Sequence, residues 1–137
     1  MDTINKKILV VDDEPDLREM VKLALSKAGY DVDTAVDGDD CLKKLEEITP
    51  DIILLDIMMP GTPVNELIHL IKDINIAFLT VVGISKVEKD ELFSQDNIID
   101  YIQKPFDIDD LVQRVNGILH PSKINIESEI QIKKLFW

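Results

Sequence analysis

The sequence predicts an α/β domain organised on a parallel sheet, and three observations lead there. Five short apolar or β-branched runs alternate along the chain with five segments of helical character. Several of those runs have no polar alternate face, as strands covered by helices on both sides should. The 137 residues, 45% of them hydrophobic, are enough for one domain with a sizeable core.

The first strand is residues 8–11, "ILVV", bounded on both sides by charge. Pro15 suits the first turn of a helix, and Leu17, Met20, Val21, Ala24, Leu25 and Ala28 then follow helical spacing until Gly29 supplies a stop. Residues 32–36 make a weaker second strand. Asp37-Gly38 turns the chain, and Cys41, Leu42, Leu45 and Ile48 line one face of a second helix. After Pro50-Asp51, residues 52–55 form a fully apolar strand ending at Asp56. Thr62-Pro63 has the pattern of an N-cap followed by a first-turn proline, ahead of the stripe Val64, Leu67, Ile68, Ile71. Residues 76–84 are an apolar strand region, and the polar segment 86–96 is expected to form a short helix. Residues 98–103 make a fifth strand ending in Lys104-Pro105. Asp107 can cap a last helix that buries Ile108, Leu111, Val112, Val115, Ile118 and Leu119.

Charge and composition narrow the function classes. The formal net charge is −12, and residues 1–119 hold 12 Lys and Arg against 25 Asp and Glu. A body this acidic repels nucleic acid and anionic lipid while favouring cations, so no direct DNA contact and no membrane partner are expected of it. No apolar stretch approaches the ~18 residues of a membrane span. The N-terminus is too polar for the apolar core of a secretory signal. A single cysteine, Cys41, suits a reducing cytoplasm and fits a small core residue on a helix.

The chemistry concentrates where strands end. In "KILVVDDEP" four apolar residues run into Asp12, Asp13 and Glu14. At an effective dielectric near 20, two carboxylates ~4 Å apart repel by roughly 4 kcal/mol, so these groups either splay into water or surround something positive. Asp56 closes the third strand and Lys104 the fifth. In parallel α/β sheets ligands bind beyond the carboxyl ends of the strands. Should those strands be neighbours, Asp12, Asp13, Asp56 and Lys104 converge on one rim. Oxygen-only ligands suit Mg²⁺, with Mn²⁺ as a substitute. A carboxylate beside such an ion can attack phosphorus and form an acyl phosphate, and Asp56 is the better nucleophile, with Asp12 and Asp13 as metal ligands. Taken singly, each of these aspartates also fits a turn residue or helix cap.

The segments "ILVVDDEPDLREMV", "DIILLDIMMPG" and "DYIQKPFDIDDLV" resemble, in order and spacing, the three signature segments of the receiver domains of two-component response regulators. The resemblance covers roughly residues 5–119, with a receiver domain over 1–120 and residues 121–137 as an extension or the start of a linker. It implies a flavodoxin-like, doubly wound five-stranded parallel sheet of order 2-1-3-4-5 with helices on both faces. By the same resemblance Asp56 is the phosphoryl acceptor, loaded by a sensor histidine kinase or phosphotransfer protein. Asp12 and Asp13 are the acidic pair at Mg²⁺, the backbone carbonyl of Met58 is a further ligand, and Lys104 contacts a phosphoryl oxygen. Lys104–Pro105 is implied to be a cis peptide bond. Tyr101 matches the aromatic switch position, or is an edge-strand aromatic. The switch hydroxyl is Ser85 on spacing, 29 residues after Asp56, with Thr80 the alternative on local pattern. Lys86 stands where the family generally has a small residue, "DNIID" replaces a Gly-Ala turn, and Pro63-Val64 replaces an Asp-Gly.

The expected function is therefore a phosphorylation-controlled signalling module in the cytoplasm. It would not be an enzyme in the usual sense, because its only chemistry is transient phosphorylation of itself. Two other readings compete. A pseudo-receiver would scaffold a partner without phosphotransfer. An aspartyl phosphohydrolase would need a general acid two residues after the nucleophile, where this chain has Met58. No recognisable effector domain follows, so output is expected through contacts with a downstream protein target, from a free-standing shuttle or a piece of a longer chain. In the tail, Ile124, Ile126, Ile130 and Ile132 suggest packing on the domain or on a second copy, as monomer or weak homodimer. His69 and His120 lack supporting ligands.

Overall fold

A computed structural model describes residues 6–81, 90 and 92–120. Its elements run β1 Lys7–Val11, α1 Pro15–Lys27, β2 Asp31–Ala35, α2 Gly38–Lys44, β3 Ile52–Asp56, α3 Val64–Leu70, β4 Asn75–Val81, β5 Ile98–Lys104 and α4 Ile108–Leu119. The five strands form one sheet in the order β2-β1-β3-β4-β5, and every neighbouring pair is parallel. Parallel neighbours require crossovers, and α1, α2 and α3 make those from β1 through β4.

The apolar runs explain the layering. Ile8 and Val10 of β1 enter one core with Ile52, Leu54 and Leu79, and α1 and α4 cover it through Val21, Leu25, Leu111 and Val115. Leu9 and Val11 enter the opposite core with Ile53, Leu55 and Phe78, covered by Cys41 of α2 and by Leu67 and Ile68 of α3. A strand buried on both faces has no polar side to present, hence its unbroken hydrophobic sequence. β5, on an edge, alternates instead, with Ile98, Ile102 and Lys104 buried and Ile99 and Gln103 exposed.

Pro15 stands in the first turn of α1, and Asp107 caps α4 by accepting the Asp109 N–H at 2.8 Å. Two local expectations are corrected. The second helix ends at Lys44 rather than running to Ile48, although Leu45 and Ile48 still pack against the core. Thr62 does not cap α3: Pro63 occupies the N-cap position, and the Thr62 side chain turns instead to Asp39. Residues 86–89 and 91 of the helix expected over 86–96, and the whole tail 121–137, lie outside the described residues.

Candidate functional site

The sheet order makes β1 and β3 adjacent, with the register pairing Val11 with Leu55. Asp12, which follows β1, and Asp56, which ends β3, therefore emerge side by side. Lys104 ends β5 two strands away and is long enough to reach both. Three carboxylate oxygens, one each from Asp12, Asp13 and Asp56, lie within 4.8 Å of one another. Asp12 is fully buried and Asp56 nearly so, whereas Asp13 is exposed.

One ammonium holds this cluster together. Lys104 Nζ donates to Asp12 Oδ2 at 2.7 Å, to Glu14 Oε1 at 3.2 Å and to Asp56 Oδ2 at 3.3 Å. The other carboxylate oxygen of Asp12 and that of Asp56 are met by backbone. Glu14 N–H donates to Asp12 Oδ1 at 2.9 Å, and Met58 N–H donates to Asp56 Oδ1 at 3.0 Å. Arg18, one turn into α1, donates to the Asp12 carbonyl oxygen at 2.7 Å.

Burial pushes the Asp56 carboxyl up to about 6 from 3.8; the Met58 N–H opposes that, the Asp12 charge adds to it, and the Lys104 charge and hydrogen bond oppose it. Burial alone would lower the Lys104 ammonium. Hydrogen bonds and charge from Asp12, Asp56 and Glu14 more than reverse this, leaving it above the ordinary lysine range. Among the described residues Lys104 is the cation that bonds to these carboxylates, with Arg18 on the Asp12 backbone, and the four acidic side chains outnumber them. All the side chains that could ligate here offer oxygen, and this donor set, short of compensating charge, fits a hard divalent ion such as Mg²⁺.

Asp12, Asp13, Asp56 and Lys104 come together, and Lys104–Pro105 is cis. Met58 lies in the loop just past Asp56, its side chain exposed. Thr80 is fully buried in β4, one step beyond Leu79, the register partner of Asp56. Tyr101 lies on β5. It pairs in register with Phe78, and its ring lies 5.9 Å from that of Phe93, which in turn meets Phe78 edge-on at 5.8 Å. Ser85 and Lys86 lie outside the described residues. The sequence reading gave Glu14 and Arg18 no role at Lys104 and Asp12. Glu14 was visible only as one more charge in a run, and nothing local announces a lysine 90 residues later.

Comparison with known proteins identifies the family. A family model for the response regulator receiver domain matches residues 8–116. The alkaline phosphatase synthesis transcriptional regulatory protein PhoP of Bacillus subtilis is 37% identical over 123 residues, covering 88% of this chain and 51% of that protein. The transcriptional regulatory protein TrcR of Mycobacterium tuberculosis is 35% identical over 127 residues, covering 85% and 46%. This chain thus spans about half the length of the curated relatives it matches. Among solved structures, the response regulator protein TrrA of Thermotoga maritima in complex with Mg²⁺ and BeF is 38% identical, with a TM-score of 0.68 over 82% of this chain and 97% of that one. The Francisella response regulator 1452 receiver domain is 28% identical, with a TM-score of 0.73 over 86% and 99%.

Proposed function

The chain belongs to the family of response regulator receiver domains, and from that premise we propose that it accepts a phosphoryl group on Asp56 and signals by the change that follows. The observation that carries the reading is the Lys104 ammonium shared by Asp12 and Asp56 at the carboxyl rim of the sheet, with Asp13 alongside. The donor is a phosphohistidine of a sensor kinase or phosphotransfer protein. An Asp56 oxygen attacks phosphorus, the P–N bond breaks, and the imidazole keeps its electron pair and takes up a proton. Hydrolysis of the acyl phosphate later restores the carboxylate and releases inorganic phosphate.

Asp12, Asp13, Asp56 and the Met58 carbonyl would hold a Mg²⁺, with Mn²⁺ as a substitute; when bound, it supplies positive charge that offsets the negative charge of acceptor and phosphoryl group. Asp56 loses its proton and presents an oxygen. Lys104, fixed by Asp12, contacts a phosphoryl oxygen and supplies a charge that needs no rearrangement to act. Ser85, or Thr80 in its place, answers the new group with its hydroxyl, and Tyr101 moves in response on the β5 edge. Met58 has no proton to give, which disfavours turnover of outside phosphomonoesters. Residues 1–120 act as the receiver unit, with 121–137 as an extension, in the cytoplasm, on a downstream protein target.

Acetyl phosphate with Mg²⁺ provides the test. After borohydride reduction, peptide mapping should find homoserine at position 56 in the natural chain and no conversion in Asp56→Asn. Conversion at another aspartate, or none with Mg²⁺ present, overturns the reading.

A further inference from the structure

The loop between β3 and α3, residues 57–63, touches the acceptor directly, because Met58 N–H donates to Asp56 Oδ1 at 3.0 Å. Its near end is held to the sheet by Ile57 N–H donating to the Leu79 carbonyl oxygen at 3.3 Å. Its far end is held by a side chain from another part of the chain. Asp39, in the first turn of α2, accepts at Oδ1 both the Thr62 N–H at 3.2 Å and the Thr62 hydroxyl. Glycines permit the approach. A Cβ at Gly38 would stand 3.0 Å from the backbone oxygen of Thr62, and Gly61 turns with φ +93° beside Asp37 and Asp39.

We propose that Thr62 and Asp39 are positioning residues for the acceptor site, latching the loop so that the Met58 backbone is held ready for Asp56 and for a divalent cation. The inference rests on the phosphotransfer reading, which gives the Met58 carbonyl to the ion. With both ends tied, the loop has few arrangements left to lose when an ion binds, so the latch acts through preorganisation. The hydrogen bonds of Thr62 go to Asp39, so it acts through the loop. Asp39 is exposed, and a hydrogen bond to so exposed a group adds little to global stability. Its effect is therefore expected at the site.

Calorimetric titration of the full chain with Mg²⁺ alone separates these roles. Thr62→Val should weaken Mg²⁺ affinity roughly three- to tenfold, whereas Thr62→Ser, which keeps the hydroxyl, should stay within about twofold of the natural chain. In an Asp39→Ala background Thr62→Val should add nothing further, a cycle in which the charge change at Asp39 cancels. Equal affinities for the natural chain and Thr62→Val overturn the latch and leave the phosphotransfer reading standing. No Mg²⁺ binding by the natural chain overturns both. Should Thr62→Val fail to fold, Asp39→Ala and Asp39→Asn make a charge-matched pair: recovery of affinity by the asparagine supports the latch, and equal weakening overturns it.

Discussion

Asp56 carries a conflict that a proton or a cation resolves. Burial, with Asp12 beside it, holds its carboxyl near pH 6 in the folded chain against 3.8 ordinarily. Between about pH 4 and 6 the unfolded carboxyl ionises while the native one keeps its proton, so the native state binds more protons and stability falls as pH rises. Above about pH 6 the loss is complete, at most roughly 3 kcal/mol. In the presence of a chelator, Asp56→Asn should therefore be more stable than the natural chain at pH 7, by about 1–3 kcal/mol, and nearly equal to it below pH 4. Urea unfolding at both pH values measures this, and a gain that does not change with pH would contradict it. At this scale the rim aspartates and Lys104 were legible, because charge abutting an apolar run is conspicuous. The contacts of Glu14 and Arg18 were not, since each depends on where a side chain finds a partner in space.

Elements were legible where burial is uniform. β1 and β3 are apolar throughout because both faces are covered, and their limits in sequence lie within a residue of those observed. The end of α2 was hidden for the opposite reason: Leu45 and Ile48 keep helical spacing and still face the core, while the backbone bonds tighten to i→i−3 at Glu46 and Glu47, a change that side-chain pattern does not report. Thr62 misled because a Thr-Pro pair has the local chemistry of a cap, and a carboxylate 23 residues earlier outcompetes that role. The turn into β5 shows a similar dependence on distant partners. Asn97 Nδ2 donates to the carbonyl oxygens of Ile71 at 2.6 Å and Ile74 at 2.8 Å, and Gln95 Nε2 donates to that of Ile68 at 2.8 Å. These amides serve carbonyls at and beyond the C-terminal end of α3, where helical partners run out. Asn97→Ala should cost about 1–3 kcal/mol by leaving part-buried acceptors unmet. Hydrogen exchange should show the loss concentrated in α3 and the start of β4. An unchanged midpoint would remove the role.

At the scale of the whole molecule, sheet order makes the site. With β1 between β2 and β3, and β4 between β3 and β5, residues separated by 92 and 48 positions in sequence share one lysine. The order came from resemblance and not from periodicity, which predicts strands but not their neighbours. A chain carrying −12 overall gathers still more negative charge at one rim than Lys104 can balance, and a divalent ion is the natural complement. The most direct test is paramagnetic: adding Mn²⁺ in small steps to the isotope-labelled chain and following amide signals. Residues 12, 13, 56 and 58 should broaden first and together, and excess Mg²⁺ should restore them. Broadening scattered over the exposed carboxylates, with residue 56 unaffected, would contradict it.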